Sequence, residues 1–146
     1  MRYKIITVLV LLFLFTSCAK VSNDVDFARF CFNGLTNGNL RIAKSFDWSS
    51  LVVLGMDIGK AYGSLPNEVE RKKYIKAFIK SFSFGWRTSE GSIKKFGNWR
   101  ILSSDVDTTV VAADYDIPPR FITQTLLFTI MQKRGEKKLI KIEWMK

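Results

Sequence analysis

The spacing of apolar residues along the chain changes twice, and each change marks a boundary. Residues 5–15 are apolar except for Thr7 and follow two cations, Arg2 and Lys4. From Val25 to Phe84 the apolar positions recur at helical intervals. Val25, Ala28, Cys31, Phe32 and Leu35 predict a first helix capped by Asn23 or Asp24, with Phe27 and Phe30 widening its apolar arc. The run Gly34-Leu35-Thr36-Asn37-Gly38-Asn39 ends it. A short helix over Leu40–Phe46 turns Leu40, Ala43 and Phe46 inward. A third, from about Ser50 to Tyr62, is read from Leu51, Leu54, Ile58 and Tyr62, with Asp47 or Ser49 as its cap. Pro66 suits the first turn of a fourth. This helix, Asn67 to Phe84, has the strongest pattern: Ile75, Phe78, Ile79 and Phe82 form one face, and Lys72, Lys73, Lys76 and Lys80 lie off it. Glu68 and Glu70 near its start suit the helix dipole.

After Gly85 the period shortens towards two. Strands are expected over Asn98–Leu102, Val106–Tyr115, Phe121–Lys133 and Lys137–Trp144. Ile117-Pro118-Pro119 reads as a loop and Arg134-Gly135-Glu136 as a hairpin turn with the glycine left-handed. Ile122, Leu126, Phe128 and Ile130 share one side of their strand, and Thr123, Thr125, Leu127, Thr129 and Met131 the other. In the last strand Ile140, Ile142 and Trp144 are expected inward, Lys141 and Glu143 outward. Helices first and an antiparallel meander afterwards make an α+β chain. The expected architecture is N-terminal helices packed on a curved antiparallel sheet of about four strands, cone-like in shape.

The N-terminal run has its own meaning. About eleven apolar residues at 1.5 Å per residue fall short of a bilayer's roughly 30 Å core, so they fit a signal-peptide h-region better than a span. Thr16 and Ser17 then precede Cys18, and this arrangement resembles a bacterial lipobox. The resemblance implies that residues 1–17 are a lipoprotein signal peptide, that Cys18 becomes an acylated first residue, and that 24–146 form a single domain on a tether ending at residue 23. Two acyl chains on one cysteine give stable anchoring where a single chain does not. Ala19 after the cysteine resembles the signal for release to the outer membrane of a Gram-negative envelope. Plain secretion with cleavage near Ala19, or an uncleaved anchor helix, are the competing readings. Residues 19–23 reach about 17 Å at most, which keeps the domain near the bilayer.

The chain carries 23 basic and 13 acidic residues. Loss of Arg2 and Lys4 with the signal peptide leaves 21 against 13, a net charge of +8. That balance suits anionic lipid head groups, or is simply a lysine-rich wet surface. An exported lipoprotein rarely meets nucleic acid, so no nucleic-acid partner is expected. Histidine is absent, which excludes Ser-His-Asp, Cys-His and His-ligated zinc chemistry. No Gly-rich phosphate loop or metal-spaced carboxylate cluster is present, and no cofactor is expected. Cys31, lacking a partner once Cys18 is acylated, reads as a small buried hydrophobe, with a reactive thiol or an intermolecular disulfide as alternatives.

The helix-then-sheet order, "FGNWRI" at 96–101 and "GEKKLIKIEW" at 135–144 resemble the nuclear transport factor 2-like superfamily, the cystatin-like cone. "YIKAFIKSF" at 74–82 is similar, more weakly, to the middle helices of periplasmic phospholipid-shuttle proteins. The strand that cone domains often place between their helices is not evident. The resemblance implies a pocket between helices and sheet, and Trp48, Tyr62, Tyr74, Phe78, Trp99 and Phe128 are the aromatics available to line it; core filling is the competing role for each. An apolar small molecule or lipid is the ligand such a pocket implies. An interaction or accessory domain of an envelope complex is the alternative. An acid-base enzyme is a third reading, for which the chain offers Asp47, Asp57, Asp114, Tyr62 and Tyr74; the domain is expected not to be an enzyme.

Overall fold

A computed structural model of the protein describes residues 24–89, 95–117 and 122–146. The expected signal peptide, Cys18 with the expected tether, and the expected loop at Pro118-Pro119 lie outside the described residues.

Helix α1 covers residues 24–36. Ala28, Cys31, Phe32 and Leu35 are buried as their spacing predicts, whereas Phe30 is half exposed. Asp24 is itself helical, and its carboxylate accepts from the Thr109 hydroxyl at 3.2 Å and pairs with the Lys137 ammonium. A 3-10 turn, Leu40–Ser45, follows, capped by the Asn39 carboxamide on the Arg41 amide at 3.0 Å. Its inward residues are Ile42 and Ser45, not Leu40. The cause is Gly34, whose bare Cα leaves the space on α1 that the Ile42 side chain enters.

The expected third helix is largely replaced by a hairpin. Strands β1 (Val52–Val53) and β2 (Met56–Asp57) flank a tight turn in which Leu54 and Gly55 both have positive φ. That is the two-residue turn whose twist suits a hairpin. Only then comes a short helix α2, Ile58–Gly63, capped by Asp57 on the Lys60 amide at 2.9 Å. Helix α3 spans Glu68–Thr88, with Asn67 as its cap and Pro66 just ahead of the cap. Gly85 does not end it. A glycine in a helix interior costs about 1 kcal/mol, and one turn more lets Trp86 stack on Phe82, 6.0 Å and 9° apart.

The sheet has six strands rather than about four: β1 and β2, then β3 (Phe96–Ser104), β4 (Thr108–Ile117), β5 (Ile122–Lys133) and β6 (Glu136–Trp144), in the order β2-β1-β6-β5-β4-β3. Strand β1 is the strand missing from the sequence reading. It pairs parallel with β6, Val52 beside Lys141 and Val53 beside Ile142, so the sheet is mixed. Strands β5 and β6 meet at a hairpin in which Arg134 and Gly135 are both left-handed.

Two irregularities shape this sheet. Edge strand β3 shifts register between Gly97 and Arg100 and again between Ile101 and Ser103, which blunts it as a template for another strand. In β6 the register jumps between the Thr129–Lys141 and Ile130–Leu139 pairs, leaving Ile140 as an extra residue. Leu139 and Ile142 are therefore the fully buried pair, in place of the expected Ile140 and Ile142. The core lies between this sheet face and the helices, with Leu51, Val53, Ile79, Val111, Leu126, Phe128, Leu139 and Ile142 fully buried. Side chains of this kind each contribute about 1.5–3 kcal/mol when removed from water.

Candidate functional site

The site grows out of one ring. Phe32 projects from α1 and meets Trp86, Phe96 and Phe128 edge-on, with centroids 5.3, 5.2 and 5.3 Å away. Perpendicular contacts of this kind suit the ring quadrupoles and hold each partner in place. Trp99 stacks on Phe128 at 5.2 Å from the sheet side, and the Arg29 guanidinium lies 5.3 Å above the Trp99 ring. Between α1, the last turns of α3 and the start of β3 these side chains enclose an open depression of about 460 Å³. Phe32, Trp86, Phe96 and Trp99 form its apolar floor and wall, and Arg29, Asn33, Thr36 and Asn98 its polar rim. A recess with aromatic rings at its base and mostly polar exposed lining, one cation included, is chemically suited to a small molecule with an apolar face and polar or anionic groups.

Beside it, a second depression of about 380 Å³ is lined by Lys95, Gly97, Asn98, Asp114 and Thr123 among others. Asn98 has positive φ at the β3 irregularity, and its carboxamide donates to Asp114 at 2.6 Å. Arg100 and Thr125 donate to the same carboxylate, each at 2.8 Å. The Asn98 hydrogen bond first, with those of Thr125 and Arg100 and the Arg100 charge, outweighs the opposing effect of burial and holds Asp114 below the usual carboxylate range. A third depression of similar size is formed by Phe46, Asp47, Lys133, Arg134, Glu136 and Lys138. Here burial pushes Asp47 up, but Lys133 at 2.6 Å and the Ser49 hydroxyl at 2.6 Å overcome it, and the net shift is downward.

The aromatics singled out in the sequence are spread across the fold. Trp99 lines the depression, and Phe128 lies fully buried directly behind it. Trp48 is buried elsewhere, its indole donating to the Ala43 carbonyl at 2.7 Å and its ring packing on Phe46 and Phe78. Phe78 continues that packing to Phe82. Tyr62 and Tyr74 are half-buried; Tyr62 lies under the Arg71 guanidinium, and burial raises the Tyr74 hydroxyl. Cys18 lies outside the described residues. The depression also uses Arg29, Phe32, Asn33, Trp86 and Phe96, which sequence reasoning did not single out as site residues; the signal available was Phe96 within "FGNWRI".

The carboxylates considered for acid-base work are engaged: Asp47 by Lys133 and Ser49, Asp57 as the α2 cap, Asp114 by three donors. A general base needs a raised pKa, and the two shifted carboxylates among these move down. Among the described residues no group of three or more His, Cys, Asp or Glu side chains could hold a metal, and no helix is long and apolar enough to cross a membrane.

Helices packed on one face of a mixed six-stranded sheet, with a recess where α1, the end of α3 and the start of β3 meet, make an α+β fold shared with known proteins. A solved structure from Shewanella frigidimarina, of a protein proposed to be a ketosteroid isomerase, superposes on 82% of this chain and 92% of its own with a TM-score of 0.51 at 9% identity. A protein from Xanthomonas campestris, proposed to be a calcium/calmodulin dependent protein kinase II association domain, matches 80% of this chain and 79% of its own with a TM-score of 0.43 at 14% identity. The first of these establishes the fold. No protein-family model matches the chain, and no curated protein matches it in sequence.

Proposed function

We propose that this protein is a bacterial envelope lipoprotein, held in the membrane by acylated Cys18, whose cone domain binds a small amphipathic molecule at the aromatic mouth. The observation that carries the binding reading is the recess of about 460 Å³ with Phe32, Trp86, Phe96 and Trp99 beneath Arg29. A nuclear transport factor 2-like fold is a common frame for ligand-binding and accessory domains, and fold alone does not choose between them. The anchor reading rests on the basic n-region, the short apolar run and the Thr16-Ser17-Cys18 sequence.

Asn33→Trp tests the mouth. Asn33 is exposed on α1, so a large ring there fills the rim without disturbing the core. With 1-anilinonaphthalene-8-sulfonate, an anionic aromatic probe, the variant is expected to bind about tenfold more weakly or worse, a loss of about 1.4 kcal/mol. Unchanged affinity in a folded variant removes the mouth as the site. Failure of the wild-type domain to bind the probe or to carry any co-purifying molecule favours the accessory-domain alternative. Cys18→Ala is expected to abolish metabolic acyl labelling; persistent labelling refutes the lipobox reading.

A further inference from the structure

Glycine occupies one strand position where the fold itself makes no use of it. Gly97 lies in β3, the edge strand, opposite Asp114. Among the described glycines it is the one within a strand. A glycine there forgoes side-chain packing and loses more chain entropy than any other residue. Two structural reasons could offset that cost, and neither applies among the described residues. The backbone does not demand it: the left-handed residue at the adjacent register shift is Asn98, and Gly97 does not have positive φ. Packing does not demand it either. A Cβ at Gly97 would meet no described atom within 4 Å, whereas one at Gly34 or Gly59 would collide.

The bare Cα leaves a passage. Gly97 is shared, with Phe96 and Asn98, by the aromatic mouth and by the depression beside Asp114. Alternation turns Phe96 towards the helices, where it meets Phe32, and turns its neighbour to the other side of the sheet. Each depression holds a cation that no carboxylate among the described residues pairs with: Arg29 in the mouth and Lys95 in its neighbour. Asp114, the carboxylate of the second lining, is already engaged by Asn98, Arg100 and Thr125.

We propose that the two depressions are one groove running over Gly97, and that its ligand is an elongated amphipathic molecule with an anionic group at each end. Arg29 holds one end, Lys95 the other, and the apolar body lies on Phe96 and Trp99. This rests on the reading of the aromatic mouth as a binding site and extends that site round the edge of the sheet. Joining two anchoring groups in one molecule makes the second contact intramolecular, so a double-ended ligand gains affinity where it can cross at Gly97.

The test compares two probes, biphenyl para-carboxylate and biphenyl para,para′-dicarboxylate, by calorimetry on the full-length protein in lipid nanodiscs, with empty discs subtracted. The dicarboxylate is the more strongly hydrated of the two, so apolar burial alone ranks it second. The wild-type protein is expected to bind it about tenfold more tightly than the monocarboxylate. A preference for the monocarboxylate overturns the double-ended ligand. Gly97→Ile places a side chain that suits a strand across the passage. This variant and Lys95→Gln are each expected to bring the two affinities within about threefold. An undiminished preference in folded Gly97→Ile overturns the crossing, and in Lys95→Gln it overturns the second anchor. Asn33→Trp separates this inference from the reading beneath it. If it weakens the monocarboxylate while Gly97→Ile leaves the preference intact, the mouth stands and the groove falls. If it leaves both probes bound as in wild type, the mouth falls and the groove with it.

Discussion

At the scale of single residues, burial decides the reactivity of Cys31. Cys31 is fully buried on α1, and burial pushes it up to about 12, against a weaker lowering by its Ser45 hydrogen bond. Only the thiolate is nucleophilic, so at pH 8 the folded domain is expected to alkylate at Cys31 at least about a thousandfold more slowly than an unperturbed cysteine. Iodoacetamide labelling followed by mass spectrometry checks this; labelling should become fast in urea, and fast labelling of native protein would show an open core. The apolar position of Cys31 was legible from its helical spacing. Less of the mouth was legible. Trp99 reads as a site aromatic on its own, but Phe32 reads as one more core residue of α1, and Trp86 falls beyond a glycine that looks like a helix end. Their shared position depends on contacts of Phe32 with residues 54 and 64 positions away, which no local pattern records.

At the scale of elements, periodicity succeeded where an element is long and one-sided. Helix α3 and strand β5 each present enough turns or alternations for the buried side to stand out. It failed at 50–62, where Leu51, Leu54 and Ile58 mimic helical spacing while belonging to a loop, a left-handed turn and the start of α2. Two-residue strands carry no period, and the pairing of β1 with β6 joins segments about ninety residues apart. The glycine at the start of α2 shows how tightly this unread segment is packed. A Cβ at Gly59 would lie 2.5 Å from the Ser49 carbonyl oxygen, and that oxygen is backbone. Gly59→Ala is expected to destabilise the domain by about 1–3 kcal/mol, the usual range for forced overpacking. Urea denaturation at constant slope measures it. A variant as stable as wild type would mean that the Ser49–Leu51 backbone yields readily.

At the scale of the whole molecule, stability is tied to pH through carboxylates that the cationic surface holds ionised. Asp47 and Asp114 both titrate lower in the folded chain than in the unfolded one. Each therefore contributes stability that is complete above its unfolded value, about 4, and is lost as pH falls through the lower folded value. The expected profile is flat from neutral pH to about 5 and falls steeply below about 4. Protonation there also adds to a net charge already at +10 for the full chain, so self-repulsion acts in the same direction. Asp47→Asn should lower stability at pH 7 and make the acid limb shallower; thermal melts between pH 2 and 7 read both effects. An acid limb as steep as wild type would assign the acid sensitivity to other groups.

The extra residue in β6 sets the phase of the chain's last strand. Unbroken alternation from Ile142 would place Ile140 inward and Leu139 and Lys137 outward. The spare step reverses that parity, so Leu139 and Lys137 share the inner side and Lys137 comes within reach of Asp24. Deleting Ile140 alone would keep that phase and only straighten the strand, whereas one residue inserted beside it would turn Lys137 away from Asp24 while leaving composition, charge and hydropathy almost untouched.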